Sequence, residues 1–249
     1  MAFPLYPWIG PIPIHPHLLF ELLTYGAGFV IYRVLRARWG DPLPAEQRWT
    51  VIAAAAFGAA IGGKLLYWGS DPGDFALRWQ DAFYIMGGKS VLGAIAGGLV
   101  AVELVKRRSG ITVPTGDLLA VPLALGIGIG RIGCFLTGLG DHTYGLATSL
   151  PWAVDFGDGI ARHPTQLCEV LFVWALGGIL LWAAGRGLRM GALFRLFIVG
   201  YAAFRIGVEF IKPGAPLLGL NALQWVALAM LIWAGRELLS QRRKEVARA

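Results

Sequence analysis

The sequence predicts an all-α integral membrane protein with about seven transmembrane helices, an N-terminus in the periplasm and a C-terminus in the cytoplasm. Three observations lead there. Of 249 residues, 56% are hydrophobic and 15% charged, against roughly 25% charged in an ordinary soluble domain. Apolar runs recur along the whole chain, each near the ~20 residues that cross a hydrocarbon core about 30 Å thick. Lys and Arg gather in short segments after alternate runs, which is how topology signals are distributed. The formal charge of +7 is therefore read as topology signals in the loops, not as a nucleic-acid stripe.

The first span is expected over 18–35, with Arg33, Arg36, Arg38 and Arg48 around the Pro-containing loop that follows. A second span covers 49–68, and a mixed outward loop follows at about 70–89. The third, 90–105, runs into Lys106, Arg107 and Arg108, and the fourth, 116–136, opens into the longest polar stretch, an outward loop at about 137–165. Spans at 166–184, 192–210 and 221–239 complete the set, with Arg186 and Arg189 after the fifth and Arg242, Arg243 and Lys244 after the last. Basic clusters thus follow the odd-numbered spans, which sets the orientation. The whole chain, 1–249, is read as a single transmembrane domain. Its first residues lack Lys and Arg and are interrupted by Pro, unlike a cleavable signal peptide. Glycines within spans, as in Gly-Ala-Ala-Ile-Gly-Gly at 58–63 and Gly-Ile-Gly-Ile-Gly at 126–130, fit close helix packing in lipid.

Cys134 and Cys168 lack metal-type spacing, so neither a disulfide framework nor a zinc site is expected. Ionisable groups inside apolar runs carry more information, because each costs about 2.5–3.5 kcal/mol at a helix centre. Glu21, Lys64, Arg131, Glu169, Arg205 and Glu209 are of this kind. Arg205 and Glu209 share one helix face, as an ion pair would. Alternatively, Arg131 and Arg205 converge on a phosphodiester, whose oxygens match guanidinium groups through paired, charge-assisted hydrogen bonds. All four histidines, His15, His17, His142 and His163, fall in segments assigned to the outer face or its edge.

Three motifs then carry a resemblance. Gly-Ile-Gly-Arg-Ile-Gly-Cys-Phe-Leu-Thr-Gly at 128–138, Arg-His-Pro-Thr-Gln-Leu-Cys-Glu at 162–169 and Gly-Tyr-Ala-Ala-Phe-Arg-Ile-Gly-Val-Glu-Phe-Ile-Lys at 200–212 resemble signatures of the prolipoprotein diacylglyceryl transferase family. Weaker matches are Gly-Gly-Lys-Leu-Leu-Tyr at 62–67 and Gly-Gly-Lys-Ser at 87–90, the second bringing in Lys89. The resemblance implies an enzyme of the bacterial inner membrane that moves diacylglyceryl from phosphatidylglycerol to the thiol of a prolipoprotein or another acceptor, releasing glycerol phosphate; the alternative is a non-catalytic lipid-binding homologue. It implies no cofactor. Arg131 and Arg205 would grip the headgroup, Glu209 and Glu169 would orient the arginines and the loop, and Gly145 would be the loop glycine. Arg162 and His163 belong to the second motif.

Departures accompany the matches. The family's His-Gly-Gly reads Leu92, Gly93, Ala94 here, so the histidine often assigned as proton acceptor is missing. Cys134 stands where the signature has asparagine, and the span-one tyrosine has Tyr25 nearby, with Glu21 as a possible replacement. Deprotonating a thiol near pKa 8.5 is a modest task for a base. His142, beside Asp141, is the candidate, with His163, His15 and His17 as alternatives.

Overall fold

A computed structural model describes residues 3–9, 11–188, 191–214 and 216–246, with no side-chain description for Ile9 and 241–246. In chain order the described elements are β1 (Trp8–Ile9), β2 (Ile12–Pro13), α1 (Pro16–Trp39), α2 (Ala45–Ser70), α3 (Pro72–Arg78), α4 (Ala82–Met86) and α5 (Val91–Arg108). They continue with α6 (Asp117–Thr137), β3 (Val154–Asp155), β4 (Ala161–Arg162), α7 (Thr165–Ala184), α8 (Ala192–Val208) and α9 (Ala222–Val246). The protein is an all-α membrane protein: five of the described helices, α1, α2, α6, α7 and α9, are long and apolar enough to cross a bilayer. Arg189 of the expected topology pattern lies outside the described residues, as do the side chains of Arg242, Arg243 and Lys244.

The chain forms two compact units, one from Met1–Gly40 and Gly116–Pro213, the other from Asp41–Thr115 and Gly214–Ala249. In the first, α6 packs against α1, α7 and α8. It is the core helix: 61% of its apolar window is buried, against 11% for α1. The Leu22, Tyr25, Phe29, Val30 and Val34 side chains of α1 stay exposed, as a lipid-facing helix requires. Thr24 Oγ1 donates to the Gly126 carbonyl at 3.0 Å, fixing α1 on α6. The Asp117 carboxylate, at the start of α6, accepts from the backbone N–H groups of Gly191 (2.5 Å) and Phe194 (3.0 Å) and so satisfies open donors at the head of α8. The stretch between α6 and α7 begins as a 3-10 turn, Gly138–Asp141, and contains the small β3–β4 hairpin. Gly145 N–H donates to the His163 carbonyl at 2.9 Å and Leu146 N–H to the Ile211 carbonyl at 2.8 Å. A Cβ at Gly145 would lie 2.6 Å from His163 Cβ and 2.8 Å from the Ile211 carbonyl oxygen, so glycine alone fits this strap.

In the second unit α2 and α5 pack face to face, and α9 contacts both. The glycine pattern at 58–63 has the packing role expected of it. A Cβ on Gly97 would approach the Gly58 carbonyl oxygen to 2.2 Å, and one on Gly62 would reach the Gly93 carbonyl oxygen at 2.4 Å. Both obstacles are backbone and cannot rotate away. Gly97→Leu should therefore force the helices apart and lower stability by more than the ~1–3 kcal/mol usual for overpacking, read as a fall in thermal midpoint in detergent. Leu92, at the place of the family's histidine, is a core residue of this unit with 1% exposure.

Two basic residues read from sequence as topology or functional signals make several contacts inside this unit. Arg48 is 1% exposed. Its Nε lies 2.9 Å and its Nη2 2.6 Å from the Asp41 carboxylate, and Nη1 donates to the Thr115 carbonyl at 2.9 Å. Asp41→Ala should leave this guanidinium buried without its carboxylate and cost about 3–5 kcal/mol, measurable by chemical unfolding. Lys64 Nζ donates to the carbonyls of Ile85, Met86, Gly87 and Gly88 at 2.9, 2.7, 2.5 and 3.0 Å, pinning the end of α4. The expected loop at 70–89 accordingly contains two short helices. Asp71 caps α3 by accepting from Asp74 N–H at 3.0 Å, and Asp81 caps α4 by accepting from Phe83 N–H at 2.9 Å.

Candidate active site

The first unit gathers most of the sequence-selected residues at one end of its helices. Arg131 sits in the last two turns of α6, Glu169 in the first turns of α7, Arg205 in the last turn of α8 and Glu209 in the 3-10 turn that follows it. All four are buried, at 7%, 3%, 2% and 5% exposure. The centre is one carboxylate oxygen: Glu169 Oε2 lies 2.9 Å from Arg131 Nε and 3.0 Å from Arg205 Nη1. The contact to Arg131 is an ion pair whose alignment does not make a hydrogen bond. Glu169 Oε1 accepts from Tyr201 Oη at 2.7 Å. Arg205 Nη2 pairs closely with Glu209, and Lys212 Nζ lies 3.8 Å from the same Glu209 oxygen. Arg205 Nε is buried without a hydrogen-bond partner among the described residues.

Tyr201 and Lys212 were not selected from sequence, although both lie within the third motif. Burial, with the Arg205 guanidinium close by, pushes the Lys212 ammonium down to about 8. Gln166 was also passed over. It is fully buried, and neither its amide nitrogen nor its amide oxygen has a hydrogen-bond partner among the described residues. Its place one helical step before Glu169 puts both side chains on the same face of α7.

A second group adjoins the first. Arg131 Nη1 donates to Cys134 Sγ at 3.8 Å. A ring nitrogen of His17, Cys134 Sγ and a carboxylate oxygen of Asp141 all lie within 4.8 Å of one another. His17 Nδ1 is 3.0 Å from Asp141 Oδ1, and His17 Nε2 is 3.9 Å from Glu21 Oε2. Thr143 Oγ1 donates to Asp141 Oδ2 at 2.5 Å, and Tyr25 Oη donates to Glu21 Oε1 at 3.1 Å. Among the four histidines, the structure thus joins His17 to the arginine cluster through Cys134. His142 follows the 3-10 turn with an exposed side chain in the left-handed region, φ 53°.

The remaining candidates lie elsewhere. Arg162 is held by Asp158, with both Nη atoms 2.7 Å from its carboxylate, and its guanidinium sits 5.0 Å from the Tyr144 ring centroid. That partner holds the Asp158 carboxyl below the usual carboxylate range. His163 contributes its backbone to the Gly145 strap. Lys89 is exposed and belongs to the second unit.

A bundle of apolar helices that buries two arginines on one shared carboxylate defines a membrane protein with a buried ionic cluster at one end of its helices. A family model described as prolipoprotein diacylglyceryl transferase matches residues 4–238. The chain is 33% identical over 258 residues to the phosphatidylglycerol–prolipoprotein diacylglyceryl transferase of Methylobacillus flagellatus, covering 91% of this chain and 94% of the relative. The enzymes of that name from Nitratidesulfovibrio vulgaris and Bordetella avium are 32% and 31% identical, over 90% of this chain and 86% and 89% of their own. The chain belongs to the prolipoprotein diacylglyceryl transferase family.

Proposed function

We propose that this protein transfers the diacylglyceryl group of phosphatidylglycerol to a thiol, the lipobox cysteine of a prolipoprotein, at the outer face of a bacterial inner membrane. The observation that carries this reading is the meeting of Arg131 and Arg205 on a single oxygen of Glu169. Two guanidinium groups that close together can also share a lipid phosphate. The charges favour it: Arg131, Arg205 and Lys212 stand against Glu169 and Glu209, which leaves one positive charge for a phosphodiester monoanion. In the reaction the acceptor sulfur attacks the glycerol carbon that carries phosphate. The S–C bond forms as the C–O bond breaks, and the electron pair leaves on glycerol phosphate. Arginine donors stabilise that charge in a site shielded from water.

The topology follows the same proposal. α5 and α8, with 18 and 17 residues, would rise ~25–27 Å at 1.5 Å per residue, nearly the thickness of a hydrocarbon core. Counting them gives seven spans, with Lys106, Arg107 and Arg108 inside and the α6–α7 loop outside.

Purified protein in phosphatidylglycerol nanodiscs with a lipobox peptide should release glycerol phosphate and form a thioether-linked lipopeptide. Release of glycerol phosphate only with thiols other than the lipobox peptide would favour a different acceptor, a second reading that the substitution of Cys134 and Leu92 into the family's pattern supports. Absence of release with every thiol ends the proposal. The His142 assignment has its own test. Because its ring is exposed beside the cluster, His142→Gln should keep transfer within about three-fold, far from the 10²–10⁴-fold loss of a positioned base.

Lys212 makes headgroup binding depend on pH. Its ammonium is charged below about 8 and neutral above, so the positive excess disappears as pH rises through that value. Phosphatidylglycerol affinity, measured without acceptor to avoid thiol titration, should fall several-fold across that window in the parent. Lys212→Met should be weak throughout and nearly flat.

A further inference from the structure

We propose that His17, Cys134 and Asp141 hold a zinc ion that ionises the acceptor thiol, a step that rests on the transferase reading above. The donors come from the first turn of α1, the last turn of α6 and the 3-10 turn after it. Positions 17, 134 and 141 conceal the set from any spacing rule, but the fold brings one ligand atom from each within 4.8 Å of the others. A thiolate, an imidazole and a carboxylate form the mixed donor set suited to zinc, a borderline-soft cation that catalytic sites bind through three protein ligands and an open position. Thiolate and carboxylate together balance the dication, so the ion would add no net buried charge.

The surroundings have the form of a metal site's supporting shell. Glu21 lies 3.9 Å from His17 Nε2 and would orient the imidazole, while the 3.0 Å contact of Nδ1 with Asp141 brings two of the donors together. The second Asp141 oxygen is fixed by Thr143 at 2.5 Å, and Glu21 is itself held by Tyr25. Cys134 and Asp141 have side chains nearly closed to solvent, whereas His17 is 37% exposed. The His17 edge of the cluster is therefore the one open to an incoming thiol. Arg131 touches Cys134 Sγ at 3.8 Å and belongs to the phosphate grip, so the ion would adjoin the headgroup.

The chemistry answers a specific gap. The histidine of the family's His-Gly-Gly is Leu92 here, and no base is needed if a metal ionises the thiol, because a coordinating thiol loses its proton outright. The acceptor S–H proton would pass to solvent at the exposed mouth. The zinc-held thiolate would attack the glycerol carbon, and the C–O electron pair would leave with phosphate on Arg131 and Arg205. Full ionisation at pH 7, from the few per cent thiolate of a free cysteine, is worth about 30-fold in rate.

The test is metal content and spectrum of the full-length protein in nanodiscs. The parent should bind about one zinc per chain, and Cys134→Asn, His17→Asn and Asp141→Asn should each reduce this to below roughly 0.1 while staying monodisperse. Cobalt in place of zinc should show thiolate-to-metal charge transfer in the near ultraviolet, lost in Cys134→Asn, and its visible bands should shift when a thiol peptide is added. Removal of metal by chelation should slow transfer about 30-fold, reversibly. Arg205→Gln should retain metal and lose transfer, which separates this site from the phosphate grip. Undiminished transfer by metal-free parent overturns the proposal and leaves the transferase reading intact. Unchanged metal binding in all three variants overturns the ligand assignment. Metal binding without transfer to any thiol overturns the activating role together with the transferase reading.

Discussion

Replacing Arg205 with Lys should lower kcat/KM for phosphatidylglycerol by about 10²–10³-fold, the usual cost of removing one donor from a developing anion, although the formal charge is kept. Arg205 meets Glu169 with Nη1 and Glu209 with Nη2, while its buried Nε has no hydrogen-bond partner among the described residues. A planar guanidinium can hold two carboxylates and still present a donor to phosphate. An ammonium is a point charge on a longer stem and cannot reproduce the fork. Arg131→Lys should show a loss of the same order, because Arg131 shares the Glu169 oxygen and also touches Cys134. If the two residues grip one headgroup, the double variant should lose much less than the product of the single losses, since sites in contact are not additive. Multiplicative losses would mean that they act on different things. Steady-state kinetics with phosphatidylglycerol as the varied substrate reads both outcomes.

The arginines and glutamates of this site were legible from sequence because a charge in an apolar run is expensive and stands out against its neighbours. The helices were legible for the same reason, through length and hydropathy. What sequence could not supply was company. Arg48 looked like one more loop cation until its burial against Asp41 and the Thr115 carbonyl was seen. Lys64 was singled out for function, yet it serves four carbonyls at the end of α4. The short helices at 72–78 and 82–86 were read as loop, although Asp71 and Asp81, each followed closely by an apolar turn, are helix-start signals. His17 and Asp141 are 124 positions apart, and nothing local marks them as partners. The left-handed turn at His142 carries that ring to an exposed position, whereas Asp141 one position earlier is held against His17. Adjacency in sequence was thus a poor guide to which histidine joins the cluster.

Glu169→Gln should make the protein depend on anionic lipid. In the parent, Glu169 neutralises Arg131 and Arg205 with one oxygen and accepts from Tyr201 with the other. Glutamine keeps the shape and an acceptor but removes the charge, and taking one partner from a buried ion pair costs about 3–5 kcal/mol. A lipid phosphate offered to the same guanidinium groups can restore part of that loss, since a ligand that binds only the native state stabilises it. The variant should therefore unfold at markedly lower temperature than the parent in neutral phosphatidylcholine nanodiscs. In phosphatidylglycerol the gap should narrow, and the gain on changing lipid should be larger for the variant than for the parent. The physical content is a competition: under the proposed function Glu169 and the substrate phosphate would seek the same two cations. An equal lipid effect on both proteins would show that the headgroup does not reach these arginines. Transfer by the variant should fall as well, because arginines released from Glu169 repel each other and lose the spacing that a phosphodiester requires. Unfolding curves in the two lipids, recorded beside activity, separate that positional loss from simple misfolding.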